Sequence, residues 1–297
     1  MRTMKHIIFI IAFLLALPFT GNAERKRAFL VGISKYHANG RTAWTNIHGK
    51  EDIDLLTPAL KEKGFEVCSV VNEEATYQGI VSALKVFIDN TTKGDIVYLH
   101  FSCHGQPVED GLNASAKDEE DGWDESVVPI DAGRIYGGDG YKGEKHLTDD
   151  QLNGYFRTLR TKMGPKGMLY VAMDACHAGE MSRKGLETIR GTNEALTSKS
   201  DSKYNPPRSN IKHYSLEKAN NLAPALFLEA CQSRERNTEV RINRKEYGAL
   251  SYNVWQALEA MPTFGTNAQE FKAKVEESTK QEGRWPRTQT LVTESSF

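Results

Sequence analysis

Two short stretches carry the side chains best suited to covalent chemistry. His104-Gly105 closes one apolar run, and Asp174-Ala175-Cys176-His177-Ala178-Gly179 closes another. A free thiol has a pKa of about 8.5 and is mostly protonated near neutrality, but a neighbouring imidazole can take up its proton or stabilise the thiolate. A cysteine and a histidine at one place are therefore the smallest apparatus for acyl transfer. These two are 72 positions apart, so the fold has to bring them together.

The pattern from Arg27 onward alternates short apolar runs with longer amphipathic stretches, which predicts an α/β fold with a mostly parallel sheet and crossover helices. Strands are expected at Ala28 to Ile33, Phe65 to Val71, Asp95 to Cys103, Met168 to Asp174 and Pro224 to Cys231. Helices are expected at Asp52 to Lys63, Thr76 to Asn90, from Leu147-Thr148-Asp149-Asp150 to Gly164, Ala249 to Ala260 and Ala268 to Gln281. A polar insertion rich in Gly and Asp fills 105–146. In an open parallel sheet the site lies beyond the carboxyl ends of the strands. His104 and Cys176 follow two such ends, so both arrive at the same edge.

The sequence resembles the caspase and metacaspase family of cysteine peptidases, bacterial secreted type, and the likeness goes beyond that pair. It includes Glu120-Asp121-Gly122-Trp123-Asp124-Glu125, Val128-Pro129-Ile130-Asp131 and Thr148-Asp149-Asp150-Gln151-Leu152. Further on come Glu229-Ala230-Cys231-Gln232 and Tyr247-Gly248-Ala249-Leu250-Ser251. These segments occur in the family's order across roughly Arg27 to Leu291. The resemblance implies a three-layer αβα caspase-like fold with a central sheet of about six strands. It also implies a domain over 24–297, made of a large-subunit-like part to 181, a basic linker at 182–220 and a small-subunit-like part at 221–297.

On this resemblance Cys176 is the nucleophile and His104 its acid/base partner, with the backbone N–H groups of Gly105 and Cys176 as oxyanion donors. Asp174 lies two residues before the nucleophile on the same side of the strand, where a carboxylate would select a cation. Asp52 aligns with a second acid that metacaspases place in the same pocket, although acids in a first helical turn also favour the helix dipole. Substrates are then proteins or peptides cut after Arg or Lys. The run Asp118 to Glu125 has six carboxylates in eight positions. With the family's use of Ca²⁺ it makes Asp118, Asp121, Asp149 and Asp150 candidate calcium ligands; no other cofactor is expected. His177 should point away from the scissile bond. A zinc site from Cys103, His104, Cys176 and His177 has suitable ligand types, but adjacent residues on strands fan apart instead of converging on a tetrahedron.

Composition narrows the rest. Thirty-eight Lys+Arg against 39 Asp+Glu leave a formal net charge of −1, which removes the bulk electrostatic case for a nucleic-acid partner. Residues 1–23 read as a signal peptide. Arg2 and Lys5 precede an apolar run from Ile7 to Leu17, then Pro18 and Gly21-Asn22-Ala23. A secreted or periplasmic protein is expected, with no stable membrane insertion once the signal is removed. Four cysteines are too few for a disulfide framework. The segment 182–220 holds eight Lys or Arg, four acids and Pro206-Pro207. It reads as an exposed connector that a protease specific for basic residues would cut in its own chain. Two alternatives remain: a clostripain-like or legumain-like peptidase with a different pocket preference, and a non-catalytic caspase-like binding module.

Overall fold

A computed structural model describes residues 24–36, 43–112, 121–176, 188–199, 203–206, 214 and 216–297. The signal-peptide expectation for 1–23 lies outside the described residues, as do Asp118 and His177.

The centre is a six-stranded sheet of β1 (Lys26–Gly32), β2 (Phe65–Val71), β3 (Ile96–Ser102), β7 (Met168–Asp174), β8 (Ala225–Glu229) and β11 (Val292–Ser295). Its order is β11-β8-β7-β3-β1-β2. Every pairing is parallel except that of β11 with β8. Strands buried on both faces read as continuous apolar runs, which is why β1, β3, β7 and β8 were visible in sequence. β1 starts earlier than its apolar run because Lys26 and Arg27 still pair with both neighbours. Their heads leave the sheet: Lys26 Nζ donates to the Lys63 carbonyl, and Arg27 to the Phe87 carbonyl and Thr91 Oγ1.

Alternation along the strands builds two cores. Phe29, Val31, Leu99, Val171 and Phe227 face α2 (Tyr77–Asp89) and α3 (Asp149–Met163). Ala28, Leu30, Tyr98, Tyr170 and Leu228 face α1 (Gly49–Glu62), α4 (Ala249–Ala260) and α5 (Ala268–Thr279). The result is the expected three-layer αβα sandwich. Thr76 Oγ1 caps α2 by accepting from the Gly79 N–H at 3.0 Å, and Thr148 Oγ1 caps α3 through the Gln151 N–H. Such caps contribute about 1 kcal/mol each.

Two expectations change. The polar insertion at 105–146 holds ordered structure: β4 (His104–Glu109), β5 (Trp123–Val128) and β6 (Leu147–Thr148) form an antiparallel sheet. β4 follows β3 after the single residue Cys103, so the chain leaves the main sheet at the point where His104 begins. The segment 182–220 is not a wholly exposed connector. Arg190 is 0% exposed, Leu196 is equally buried, and Tyr204 and Tyr214 pack inward. Leu196 bridges Val108 of β4, its N–H bonding the Pro107 carbonyl. Net basic composition concealed this, because what buries Arg190 is a set of acids distant in sequence.

A hairpin of β9 (Glu239–Ile242) and β10 (Lys245–Gly248) follows β8 and leads into α4. No helix of the described residues is long and apolar enough to cross a membrane.

Candidate active site

The parallel register of β3 and β7 pairs Ser102 with Asp174. His104 and Cys176 each stand two residues beyond that pair, on adjacent strand ends. The register therefore carries both to one edge, as the sequence spacing required.

His104 is buried and held from three sides. Its ring stacks on Trp44 at 4.9 Å and lies 4.8 Å from Tyr36 between ring centroids. Its backbone N–H donates to the Tyr36 hydroxyl, which itself donates to the Val128 carbonyl. Nε2 lies 2.8 Å from the Thr45 carbonyl. A carbonyl can only accept, so Nε2 carries the ring proton and Nδ1 is the basic nitrogen. Nδ1 is buried with no hydrogen-bond partner among the described residues. Burial pushes the imidazole down to about 4. At neutral pH it is an uncharged base with one open acceptor.

Cys176 is buried as well. Its thiol donates to the Glu235 carbonyl at 2.9 Å and lies 2.8 Å from the sulfur of Cys231, itself a free thiol that burial pushes well up. The Cys176 backbone N–H donates to the Arg190 carbonyl at 3.0 Å. Gly105 borders the same spot. A side chain at Gly191 would meet the Cys176 carbonyl oxygen at 2.0 Å and the Gly105 carbonyl oxygen at 3.3 Å, so only glycine fits after Arg190.

The pocket beside them is acidic and full. Asp52 of α1 and Asp174 of β7 are both entirely buried, and between them lies the guanidinium of Arg190. Arg190 Nη1 is 2.8 Å from Asp52 Oδ2, 3.8 Å from Asp174 Oδ1 and 2.5 Å from Ser102 Oγ. A third carboxylate, Glu239, closes the far side: its Oε1 accepts from Nη2 at 2.8 Å and Nε at 3.1 Å. The acids are held by the scaffold. Asp174 accepts from Ser251 N–H and Oγ and from Asn237 Nδ2, while Asp52 accepts from Ser102 Oγ and the Gly248 N–H. Gly248 is required there, because a Cβ would lie 2.1 Å from Asp174 Oδ2.

Charge follows geometry. Burial pushes the Asp52 carboxyl up to about 7 against the pull of Arg190. Burial also presses upward on Asp174 and Glu239, but Arg190 and the hydrogen bonds around them hold both below their usual values. The backbone of the same segment is ordered too. Arg190 N–H donates to the Asn237 carbonyl, Glu239 N–H to the Thr188 carbonyl, and Ile189 bridges Thr238 antiparallel. Residues 188–190 thus add a short strand to 237–239, the way extended peptides dock on an open edge.

Of the residues singled out in sequence, the structure gathers His104, Gly105, Cys176, Asp52 and Asp174 into this one region. Glu239, Asn237, Ser102 and Arg190 were missed. Nothing local marks Glu239 or Asn237, and Arg190 looked like one basic residue among eight. Of the calcium candidates, Asp118 lies outside the described residues. Asp121 is exposed and caps the Trp123 N–H, while Asp149 and Asp150 open α3. The one group of three potential ligands among the described residues is His48, Glu239 and Glu246.

Comparison with known proteins gives the family and the fold. A family model described as "Caspase domain" matches residues 25–294. "Metacaspase-1" of Lodderomyces elongisporus is 24% identical over 269 residues, covering 77% of this chain and 56% of that protein. "Metacaspase-1" of Sclerotinia sclerotiorum is 24% identical over 174 residues, covering 55% of this chain and 36% of that protein. "Metacaspase-1B" of Aspergillus fumigatus is 33% identical over 107 residues, covering 35% of this chain and 22% of that protein. The chain thus spans at most 56% of the length of these relatives. The crystal structure of protein GSU0716 from Geobacter sulfurreducens shares the fold, with a TM-score of 0.59 and 19% identity over 92% of this chain and 93% of that one.

Proposed function

Because the chain belongs to the caspase-domain family of peptidases, we propose that it is a cysteine endopeptidase cutting after Arg or Lys, and that one bond it cuts is its own Arg190–Gly191. The observation that supports this is the pose of residues 188–191. The Arg190 side chain is sunk among three carboxylates, its carbonyl accepts from the Cys176 N–H, and its backbone pairs with 237–239. A basic peptide bound for cleavage needs those same three contacts.

In the proposed reaction His104 Nδ1 takes the thiol proton, and the Cys176 sulfur attacks the carbonyl carbon of the basic residue. The Cys176 N–H supports the charge that grows on the carbonyl oxygen, and the carbon–nitrogen bond breaks as the imidazolium returns the proton to the leaving amine. Water then hydrolyses the thioester, freeing a carboxylate and restoring the thiol. While Arg190 fills the pocket, no other substrate can enter. Cleavage at 190–191 lets the new carboxyl terminus withdraw.

Incubating the purified chain and sequencing its fragments by mass spectrometry is expected to find one piece ending at Arg190 and another beginning at Gly191. An active preparation in which that bond stays whole would overturn the self-processing step. Export through residues 1–23 belongs to the same proposal and is read by the amino terminus of the mature chain, expected at Glu24.

The pH profile provides a separate check. With the imidazole at about 4, His104 is a competent base at every pH above that value and is lost to protonation as pH falls through it. Hydrolysis of a basic peptide is therefore expected to persist to about pH 5. An acid limb near 6.5, the ordinary histidine value, would mean that His104 does not act from this buried position.

A further inference from the structure

We propose that His48, Glu239 and Glu246 form a site for a Zn²⁺ ion, on the outer side of Glu239, that fastens the β9–β10 hairpin to the start of α1. The hairpin's own geometry brings the two carboxylates together. Asn243 and Arg244 have φ of 50° and 68°, the two-residue turn that matches the twist of paired strands and fixes their register. That register sets Glu239 opposite Gly248 and Arg241 opposite Glu246. Glu246 is thus two positions from the partner of Glu239, and alternation puts both acidic side chains on one face of the hairpin. His48 reaches that face as the residue preceding α1, and its side chain makes no capping bond to the helix. Its Nδ1 lies 2.5 Å from Glu239 Oε2 and 3.4 Å from Glu246 Oε2. All three atoms lie within 4.8 Å of one another.

The donor set selects the ion. Zn²⁺ takes imidazole nitrogen and carboxylate oxygen at about 2.0–2.2 Å in a tetrahedron, whose edges are then about 3.3–3.6 Å. The His48–Glu246 pair already has that spacing. The His48–Glu239 pair has to open by about 1 Å as the ion replaces the hydrogen between them. Ca²⁺ requires roughly six to eight oxygen ligands, so one nitrogen and two carboxylates suit it poorly. Glu239 is preorganised as a ligand. Its side chain is 2% exposed, and Oε1 accepts from the His48 backbone N–H and from Arg190, which leaves Oε2 aimed at Nδ1. Ligating carboxylates are oriented by hydrogen bonds of this kind. His48 and Glu246 are each 35% exposed and line a cavity of about 730 Å³, so a hydrated ion has a way in and can keep water as its fourth ligand. Glu51 and Asp54 line the same cavity and offset Arg244 and Lys245.

The test uses the full chain carrying Cys176→Ala, which removes a competing thiol and keeps the chain whole. Calorimetric titration with zinc chloride is expected to find about one ion per chain, not displaced by excess Ca²⁺. Cobalt(II) used in place of zinc should show only the weak visible bands of nitrogen and oxygen ligation, without the intense near-ultraviolet band of a thiolate ligand. Adding His48→Gln or Glu246→Gln should weaken zinc binding by at least about tenfold. Both side chains are partly exposed, and circular dichroism shows whether each variant is folded. Saturating zinc should raise the thermal midpoint of the parent by roughly 5 °C, and that of the Glu246→Gln chain by much less. Absence of binding, a thiolate band, displacement by Ca²⁺, or undiminished affinity in both folded variants would overturn the site. Peptide hydrolysis is not among these readouts, so the metal site and the proposed peptidase stand or fall separately.

Discussion

Cys176→Ala is expected to lower hydrolysis of a basic peptide by on the order of 10⁴-fold or more, because losing a nucleophile leaves only the contribution of binding and oxyanion contacts. The same variant should stay a single chain. Cys231→Ser supplies the comparison that makes this specific. Its sulfur is the nearest thiol, 2.8 Å from that of Cys176, yet it stands at the end of β8 and nothing assigns it the attack. Activity in Cys231→Ser should remain within a fewfold of wild type. If Cys176→Ala were as active as the parent, the site described above would have no role in catalysis. If Cys231→Ser were the dead variant, the nucleophile would have been assigned to the wrong strand.

Arg190→Ala is the second large effect, and it is a stability effect as much as a processing one. Arg190 and the three acids around it are buried, so removing the cation strands carboxylates in a space with little solvent. Breaking a buried ion pair from one side costs roughly 3 to 5 kcal/mol. Its pH dependence follows from the acids left behind. Asp52 already stands at about 7 with Arg190 present, and losing that cation can only raise it. A carboxyl whose pKa is higher folded than unfolded binds its proton more readily in the folded chain. Protonation therefore stabilises the fold as pH drops, and the cost of ionisation is felt in full above the folded value. The denaturation midpoint of Arg190→Ala should fall furthest below wild type at pH 8 and approach it toward pH 5. A deficit that does not change with pH would mean that water or rearrangement has already relieved the stranded charges. Cleavage after position 190 should disappear in this variant at every pH.

Much of the scaffold was legible without coordinates. Met168–Asp174 is buried on both faces and so has a one-dimensional signature, a continuous apolar run; the partly exposed edge strand Phe65–Val71 and helix α4 also fall where the sequence put them. The Thr148 cap announced α3 for the same local reason. His104 and Cys176 were legible because each directly follows a strand, and adjacent parallel strands deliver their ends to one edge. The hairpin β9–β10 and the antiparallel strand β11 were not, being short and only partly buried, with no apolar run to mark them.

What only the tertiary structure decided is the content of the pocket. Sequence alone led to the expectation that a thiol and an imidazole meet at the carboxyl ends of β3 and β7, and the family resemblance added Asp174 and Asp52 beside them. It could not show that Glu239, from a hairpin, would complete a three-sided acidic cage, or that Arg190 would fill it. Strand and helix signals come from neighbours a few positions away. The burial of a charge depends on which opposite charges reach it through space, and Asp52, Asp174 and Glu239 reach Arg190 from three separate parts of the chain.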